Sequence, residues 1–412
     1  MESKTTLVGP FTQLLTMASL AKRGPLHDED LEIIEDAGVL IHDGIIKEVG
    51  KFSNLKVEAQ HIVELEGKHV AIPGLVDCHT HLCFGGNRAR DFALRNSGSS
   101  YLEIAAKGGG IWDTVTQTRT SDQNSLKNGI IQRANKLLQD GVTSIEVKSG
   151  YGQSLEHEIL MLESIKAANE ELDIDLIPTC LAAHIIPKEY KEDPKSYVKI
   201  ISEELLPYVK QNNLAQRIDA FVEKEAYTAE LIKPYFDQAK ALGFEITVHA
   251  DQFTPGGSAL AVEYNAISAD HLEASTDKEI ELLAKSQTIP VALPGASLGL
   301  GCAFTPARKL LDSGCGLAIA SDYNPGSAPM GHLMTQASIL GSFEKLSNAE
   351  VLAGITTRAA DALNLSQIGS LSKGFQANIA VYPTDNYQNI TYNQGQLNPS
   401  VTIIKGKIIN HA

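Results

Sequence analysis

The chain has 412 residues, 43% of them hydrophobic and 21% charged, the composition of an ordinary globular protein with a large core. Its 50 acidic residues against 35 basic ones leave a net charge of −15, which argues against nucleic acid and anionic membrane surfaces as partners. No apolar run approaches the ~18 residues of a membrane span and the start, Met1-Glu2-Ser3-Lys4-Thr5, lacks a signal-peptide core; with five scattered cysteines (78, 83, 180, 302, 315), this predicts a reduced, cytoplasmic protein.

Taken in chain order, the first 70 residues read as short β patterns. The segment 39–50 is a hairpin with Asp43-Gly44 at its turn. An apolar stretch at 70–76 then runs into Asp77-Cys78-His79-Thr80-His81-Leu82. In an extended strand alternate side chains share a face, so His79 and His81 point the same way and Cys78 points away. That disfavours a zinc-finger reading of Cys78 and Cys83. Beyond lies a long, glycine-containing segment, 83–121, expected to be a functional loop with short helices. Apolar runs at 74–77, 143–147, 176–181, 218–222, 244–248, 266–269, 289–293 and 317–320 alternate with helical patterns such as 124–139, 155–170 and 277–285. The tail, 377–382 and 401–409, is β-rich again. The expected fold is α/β: a (β/α)8 TIM-like barrel over residues 71–376, with a small β-sandwich domain built from both termini, 1–70 and 377–412. An open doubly wound sheet is the alternative, and eight strands count against it.

In a barrel, chemistry collects where strands end. The eight runs are followed by His79 and His81 with Arg88; Lys148-Ser149-Gly150-Tyr151; His184; Glu223, with Lys224 and Glu225 behind it; His249-Ala250-Asp251-Gln252; Asp270-His271; Pro294-Gly295; and Ser321-Asp322-Tyr323-Asn324-Pro325-Gly326-Ser327. Five of the twelve histidines fall on this one rim. Imidazoles with one carboxylate make a nitrogen-and-oxygen metal site. His249 joins the pair His79 and His81, and Asp322 closes the ring opposite the first strand, although turn capping is its plainer use. His184 and His271 are either near neighbours of the metal or structural. Lys148 is expected to be a salt-bridged rim residue and not a carbamate bridging two metals, so one ion is expected.

The blocks His79-Thr80-His81-Leu82-Cys83-Phe84-Gly85-Gly86-Asn87-Arg88, Glu146-Val147-Lys148-Ser149-Gly150-Tyr151-Gly152, His249-Ala250-Asp251-Gln252, Ser268-Ala269-Asp270-His271-Leu272 and 321–327 resemble the metal-dependent amidohydrolase superfamily and, within it, the imidazolonepropionase family. The resemblance implies hydrolysis of the cyclic amide of 4-imidazolone-5-propanoate to N-formimidoyl-L-glutamate. It implies one zinc or iron ion on His79, His81, His249 and Asp322. It implies a small-molecule substrate met by Arg88, Tyr151, His184, Gln252, Asn324, Gly326 and Ser327, with Asp322 and His271 moving protons or holding charge. Gln252 stands where some members carry Glu; a neutral amide orients a ring nitrogen but is no base, which leaves that role to His271 or Asp322. Arg88 is the expected partner of the substrate's carboxylate arm. A homodimer is the base-rate expectation.

Overall fold

The computed structural model describes residues 5–99, 103, 108–224 and 226–411; expectations touching residues 1–4, Glu225 and residue 412 lie outside them. The chain opens with β1 (Thr6–Leu15), β2 (Ile33–His42), β3 (Ile45–Lys51), β4 (His61–Glu64) and β5 (Val70–Pro73). Eight strands follow: β6 (Leu75–Asp77), β7 (Val142–Lys148), β8 (Asp175–Ala183), β9 (Arg217–Val222), β10 (Glu245–Ala250), β11 (Ser268–His271), β12 (Ile289–Ala292) and β13 (Ala318–Ile319). The last three are β14 (Ile379–Tyr382), β15 (Val401–Ile404) and β16 (Lys407–Asn410).

Strands β6 to β13 lie side by side in sequence order, all parallel. Each expected apolar run is one of them. The barrel closes at its carboxyl rim, where Asp322 N donates to His79 O at 3.0 Å and His81 N to Tyr323 O at 2.9 Å. Helices pack outside. The helix Gln123–Gln139 starts where the Asp122 carboxylate accepts from Ser125 N, and it buries Leu126, Ile130, Ala134 and Leu137 on one stripe. Ser154 caps the helix Leu155–Glu171 in the same way. The long connection after β6 carries the helices Ala89–Asn96 and Ile111–Arg119.

Alternation on β6 holds. Val76 and Cys78 pack outward with Ala359 and Ala360, leaving Asp77 and His79 inside. Barrel interiors are normally filled by branched apolar residues. Here Asp77, Glu146, Lys148, Asp219 and Asp270 are all buried within it.

The terminal strands form one sheet in the order β16-β15-β14-β5-β1-β2-β3, with β4 also on β1. The β2–β3 hairpin turns at Asp43 and Gly44, both at positive φ (49° and 76°), the geometry that favours Asp-Gly. Ile46 N donates to Phe375 O, and Ala377 N to Gly44 O, each at 2.8 Å. These bonds bring the β3 edge back beside β14, so the sheet curls round its own core of Val8, Phe11, Val39, Ile379 and Ile403. Among the described residues no helix is long and apolar enough to cross a membrane.

Candidate active site

The strand ends gather His79, His81, His249 and Asp322: His79, His81 and Asp322 form one cluster of possible ligand atoms, and His79 forms another with His249 and His271. His81 Nε2 lies 3.3 Å from His249 Nε2. Asp322 Oδ1 lies 3.5 Å from His81 Nε2 and 3.7 Å from His79 Nε2. Burial holds His79, His81 and His249 below their ordinary pKa, His249 at about 4 even though Asp219 opposes the shift, and so favours the neutral forms. The Nδ1 atoms of His79 and His249 face carboxylates, Asp270 at 2.6 Å and Asp219 at 2.8 Å. With a proton on each of those Nδ1 atoms, both Nε2 atoms present bare lone pairs. His79 Nε2 is buried with no hydrogen-bond partner. Lone pairs aimed at one another repel unless a cation stands between them. A tetrahedron with metal–nitrogen bonds of about 2.1 Å has edges of about 3.4 Å, close to the observed separations. The donor set fits a transition-metal ion.

Lys148 lies beneath this cluster. Its Nζ is 2.6 Å from Glu146 Oε1, 2.9 Å from Asp219 Oδ2 and 3.9 Å from Asp270 Oδ2, and the side chain is fully buried. The expectation of a rim residue is therefore corrected: Lys148 is salt-bridged, but inside the barrel. The reason is that β7 runs through residue 148, so Glu146 and Lys148 share the inward face. Burial alone would lower the Lys148 pKa, but Asp219, Glu146 and Asp270 outweigh it and hold the ammonium above its ordinary range. Asp219 and Asp270 thus each join Lys148 to the Nδ1 of one clustered histidine, the carboxylate–histidine pairing that orients metal ligands.

Above lies a cavity of about 190 Å³. Arg88, Tyr151, His184, Gln252, Asn324, Gly326 and Ser327 all line it, with His81, His249, His271 and Asp322 at its inner end. Arg88 Nε donates to Asp91 Oδ2 at 2.9 Å. Its guanidinium packs on Gly326, where a Cβ would come 2.4 Å from Nη1. His184 Nδ1 donates to Gly150 O at 3.1 Å, so its Nε2 is an acceptor, and burial lowers its pKa to about 3. Burial raises the Tyr151 pKa; the Asp322 charge adds to the shift and Arg88 opposes it. Asn324 uses its side chain within the turn: Oδ1 accepts from Gly326 N at 2.7 Å and Ser327 N at 2.8 Å, and Nδ2 donates to Asp322 O at 2.7 Å. His271 Nδ1 faces Glu273 Oε1 at 3.3 Å. Burial pushes this imidazole down, but Glu273, Asp322 and Asp270 more than offset it, and its pKa is raised. Burial pushes the Asp322 carboxyl up to about 7, with His271 pulling the other way.

The sequence profile of the Amidohydrolase family matches residues 70–409. Imidazolonepropionase of Alkaliphilus oremlandii is 37% identical over 406 residues, 97% of this chain and 96% of that protein. Imidazolonepropionase of Bdellovibrio bacteriovorus is 39% identical over 404 residues, 96% and 94%. The chain belongs to the amidohydrolase family, among the imidazolonepropionases. Among solved structures, the atrazine chlorohydrolase TrzN of Arthrobacter aurescens TC1, complexed with zinc, superposes with a TM-score of 0.74 at 16% identity, covering 98% of this chain and 95% of that one. An adenosine deaminase from Xanthomonas campestris with bound zinc gives 0.71 at 18% identity, covering 98% and 92%. At these identities the likeness is one of fold.

Two groups of residues in this amidohydrolase escaped the sequence reading. One is Asp219, together with the pairing of Glu146 and Asp270, both named along the chain, to Lys148; inward-facing strand positions were the available signal. The other is Arg95, which lines the cavity with Ile111, Phe221, Phe253 and Leu300. Arg95 lies seven residues past Arg88, two helical turns, a spacing that signals a shared face. Two strand-end acids are loop staples. Asp251 accepts from Gly256 N at 2.8 Å, Ser258 N at 3.1 Å and Ser275 Oγ at 2.7 Å. Glu223 accepts from Phe253 N at 3.0 Å and Thr254 N at 3.1 Å. The rim is also strained: Asp251, His271, Leu272 and Asp322 have φ of 51°, 86°, 70° and 51°. Such backbone persists in side chains other than glycine only where surroundings enforce it, and it concentrates at functional sites.

Proposed function

We propose that this imidazolonepropionase-family protein hydrolyses the cyclic amide of 4-imidazolone-5-propanoate to N-formimidoyl-L-glutamate, using one zinc or iron ion held by His79, His81, His249 and Asp322. The observation that carries the reading is a single cavity with the histidine–Asp322 cluster at its inner end and the Arg88 guanidinium on its wall. Full-length similarity to proteins named for this activity supports it. When bound, such an ion supplies a water acidified toward a pKa of ~7 and polarises the ring carbonyl.

The chain's own residues do the rest. Asp322 accepts the water's proton and returns it to the ring nitrogen as the C–N bond breaks, so the water's oxygen ends on the carbonyl carbon and its protons on oxygen and nitrogen. His271, with Nδ1 held by Glu273, presents Nε2 to the oxygen that gains negative charge. His184, with Nδ1 committed to Gly150 O, offers Nε2 as an acceptor for a ring N–H. Gln252 orients the ring's far edge as a neutral amide. Tyr151 and Ser327 bracket the arm, and Arg88 pairs with its carboxylate. Asn324 acts on the substrate mainly through the turn it organises, with Gly326 leaving room for Arg88.

The test is to reconstitute purified protein with zinc or iron and follow loss of the imidazolone absorbance, with metal content measured on the same sample. Absence of turnover at full metal loading overturns the reading. The same reading takes residues 1–70 with 377–412 as one unit against the barrel 71–376, which limited proteolysis tests. It takes a homodimer as the assembly, which light scattering tests. The expected compartment is the cytoplasm.

A further inference from the structure

The helix Ala89–Asn96 begins at Arg88 and runs along the cavity wall. Two of its flanking and internal residues, Arg88 and Arg95, line that cavity. They are two helical turns apart, so their side chains leave the helix on one side. The carboxylate between them is Asp91, and it is already engaged. Its Oδ2 accepts from Arg88 Nε at 2.9 Å and from Gly110 N at 2.7 Å. Arg95 lies with its guanidinium carbon 5.7 Å from the centre of the Phe92 ring. Its Nη2 is buried, and among the described residues no acceptor meets it.

An unpaired buried guanidinium nitrogen is costly, because its lost hydration is not replaced. Burial, and then the charge of Arg88, push the Arg95 pKa down from its ordinary value, while Asp91 opposes them. Among the described residues that line this wall, Arg88 and Arg95 share the one carboxylate of Asp91, which leaves a positive charge in excess. A ligand bearing one carboxylate neutralises it, and a carboxylate has enough lone pairs to accept from two guanidinium groups at once.

We propose that Arg95 is a second specificity-determining cation for the substrate's acidic arm: Arg88 and Arg95 grip one carboxylate between them, and the buried Nη2 of Arg95 is the donor that the ligand completes. This rests on the function proposed above and deepens it. Asp91 then has a positioning part, aligning Arg88 through Nε so that its two terminal nitrogens remain for the ligand. Selection against substrates with neutral arms follows, because they would leave two cations facing each other with a single counter-charge.

The experiment uses the metal-reconstituted full chain as wild type, Arg95→Met and Arg95→Lys. Each is assayed on 4-imidazolone-5-propanoate and on the analogue whose arm ends in a neutral amide. Wild-type turnover of the acid substrate is measured first; its absence overturns the functional reading and this inference with it. Given turnover, Arg95→Met should raise KM for the acid roughly 10- to 100-fold, the range of one charge-assisted hydrogen bond. It should leave KM for the amide analogue within about 2-fold and metal content equal to wild type. Arg95→Lys should recover part of the loss, since charge remains and the planar fork does not. Unchanged KM for the acid in Arg95→Met overturns the inference and leaves the functional reading standing. An equal rise for acid and amide also overturns it, because packing alone would do that. Circular dichroism of each variant identifies misfolding, and Arg95→Lys carries the comparison if Arg95→Met does not fold.

Discussion

Below the cavity, Glu146, Lys148, Asp219 and Asp270 stand on neighbouring barrel strands, fully enclosed, with the lysine bonded to carboxylates at 2.6 and 2.9 Å. At its mouth, Arg88 and Arg95 stand at and within a short helix of the long β6 connection, and among the described residues one of their nitrogens has no acceptor. Both regions are charged and both touch the site, but they differ in what completes them. In the floor the cation meets its carboxylates without any ligand; at the mouth one guanidinium is left short of an acceptor. Strand positions fix atoms to a fraction of an ångström, which suits groups that orient metal ligands and must not move. A helix set on a connection can change without disturbing the sheet, which suits groups that choose a substrate.

The comparison breaks most visibly if the floor yields. Lys148→Met leaves three buried carboxylates without their cation, and removing one partner of a buried pair costs about 3–5 kcal/mol. Urea unfolding should show that loss, or the variant should fail to accumulate as folded protein. Stability equal to wild type would mean that the floor is not held together by charge. At the mouth, Arg88→Ala should leave metal content intact and lower kcat/KM for the imidazolone propanoate by ~30- to 1000-fold, or about 2–4 kcal/mol. Steady-state kinetics with metal analysis checks it, and an unchanged kcat/KM would place Arg88 outside recognition.

Acid should separate the regions further. Burial holds His184 at a pKa of about 3, below the ~6.5 of the unfolded chain. Its neutral form is what folds, so its contribution to stability is present above about pH 6.5. As pH falls toward the folded pKa, the unfolded state binds the extra proton and that contribution is lost. The metal-free protein should therefore lose about 1.4 kcal/mol more per pH unit between about pH 6 and 4 than His184→Gln does. Parallel pH dependences in urea titrations would contradict this. The smallest effect belongs to Gly326→Ala. The new methyl would lie 2.4 Å from Arg88 Nη1, the far end of a flexible side chain that can swing away. Melting temperature should stay near wild type while KM rises several-fold; a fall in stability with unchanged KM would show that Arg88 does not depend on this seat.

Much of the scaffold was open to reading along the chain. Apolar runs between helical patterns marked all eight barrel strands, and the Asp43-Gly44 pair marked its hairpin. Alternation placed His79 and His81 on one face and Cys78 on the other. Motif resemblance pointed to Arg88, Tyr151, His184, Gln252 and the 324–327 turn, and the cavity has all of them on its wall. Lys148 was misread because a one-residue difference in where β7 ends moves a side chain from the rim to the interior. Arg95 was missed because seven-residue spacing on a short, polar helix is unremarkable until something shows which face meets a cavity.

Local pattern by itself therefore determined which segments are strands, which faces of β6 carry imidazole and that the chain is a barrel enzyme with β-rich ends. Only the tertiary structure decided the pairings. Closure of β6 against β13 brings Asp322 to the histidines, and the stacking of β7, β9 and β11 round the barrel sets Lys148 among carboxylates that in turn hold His79 and His249. The physical reason is range: alternation and helical period act over a few residues, whereas a buried charge finds its partner across strands distant in the chain, and no local pattern records which carboxylate that will be.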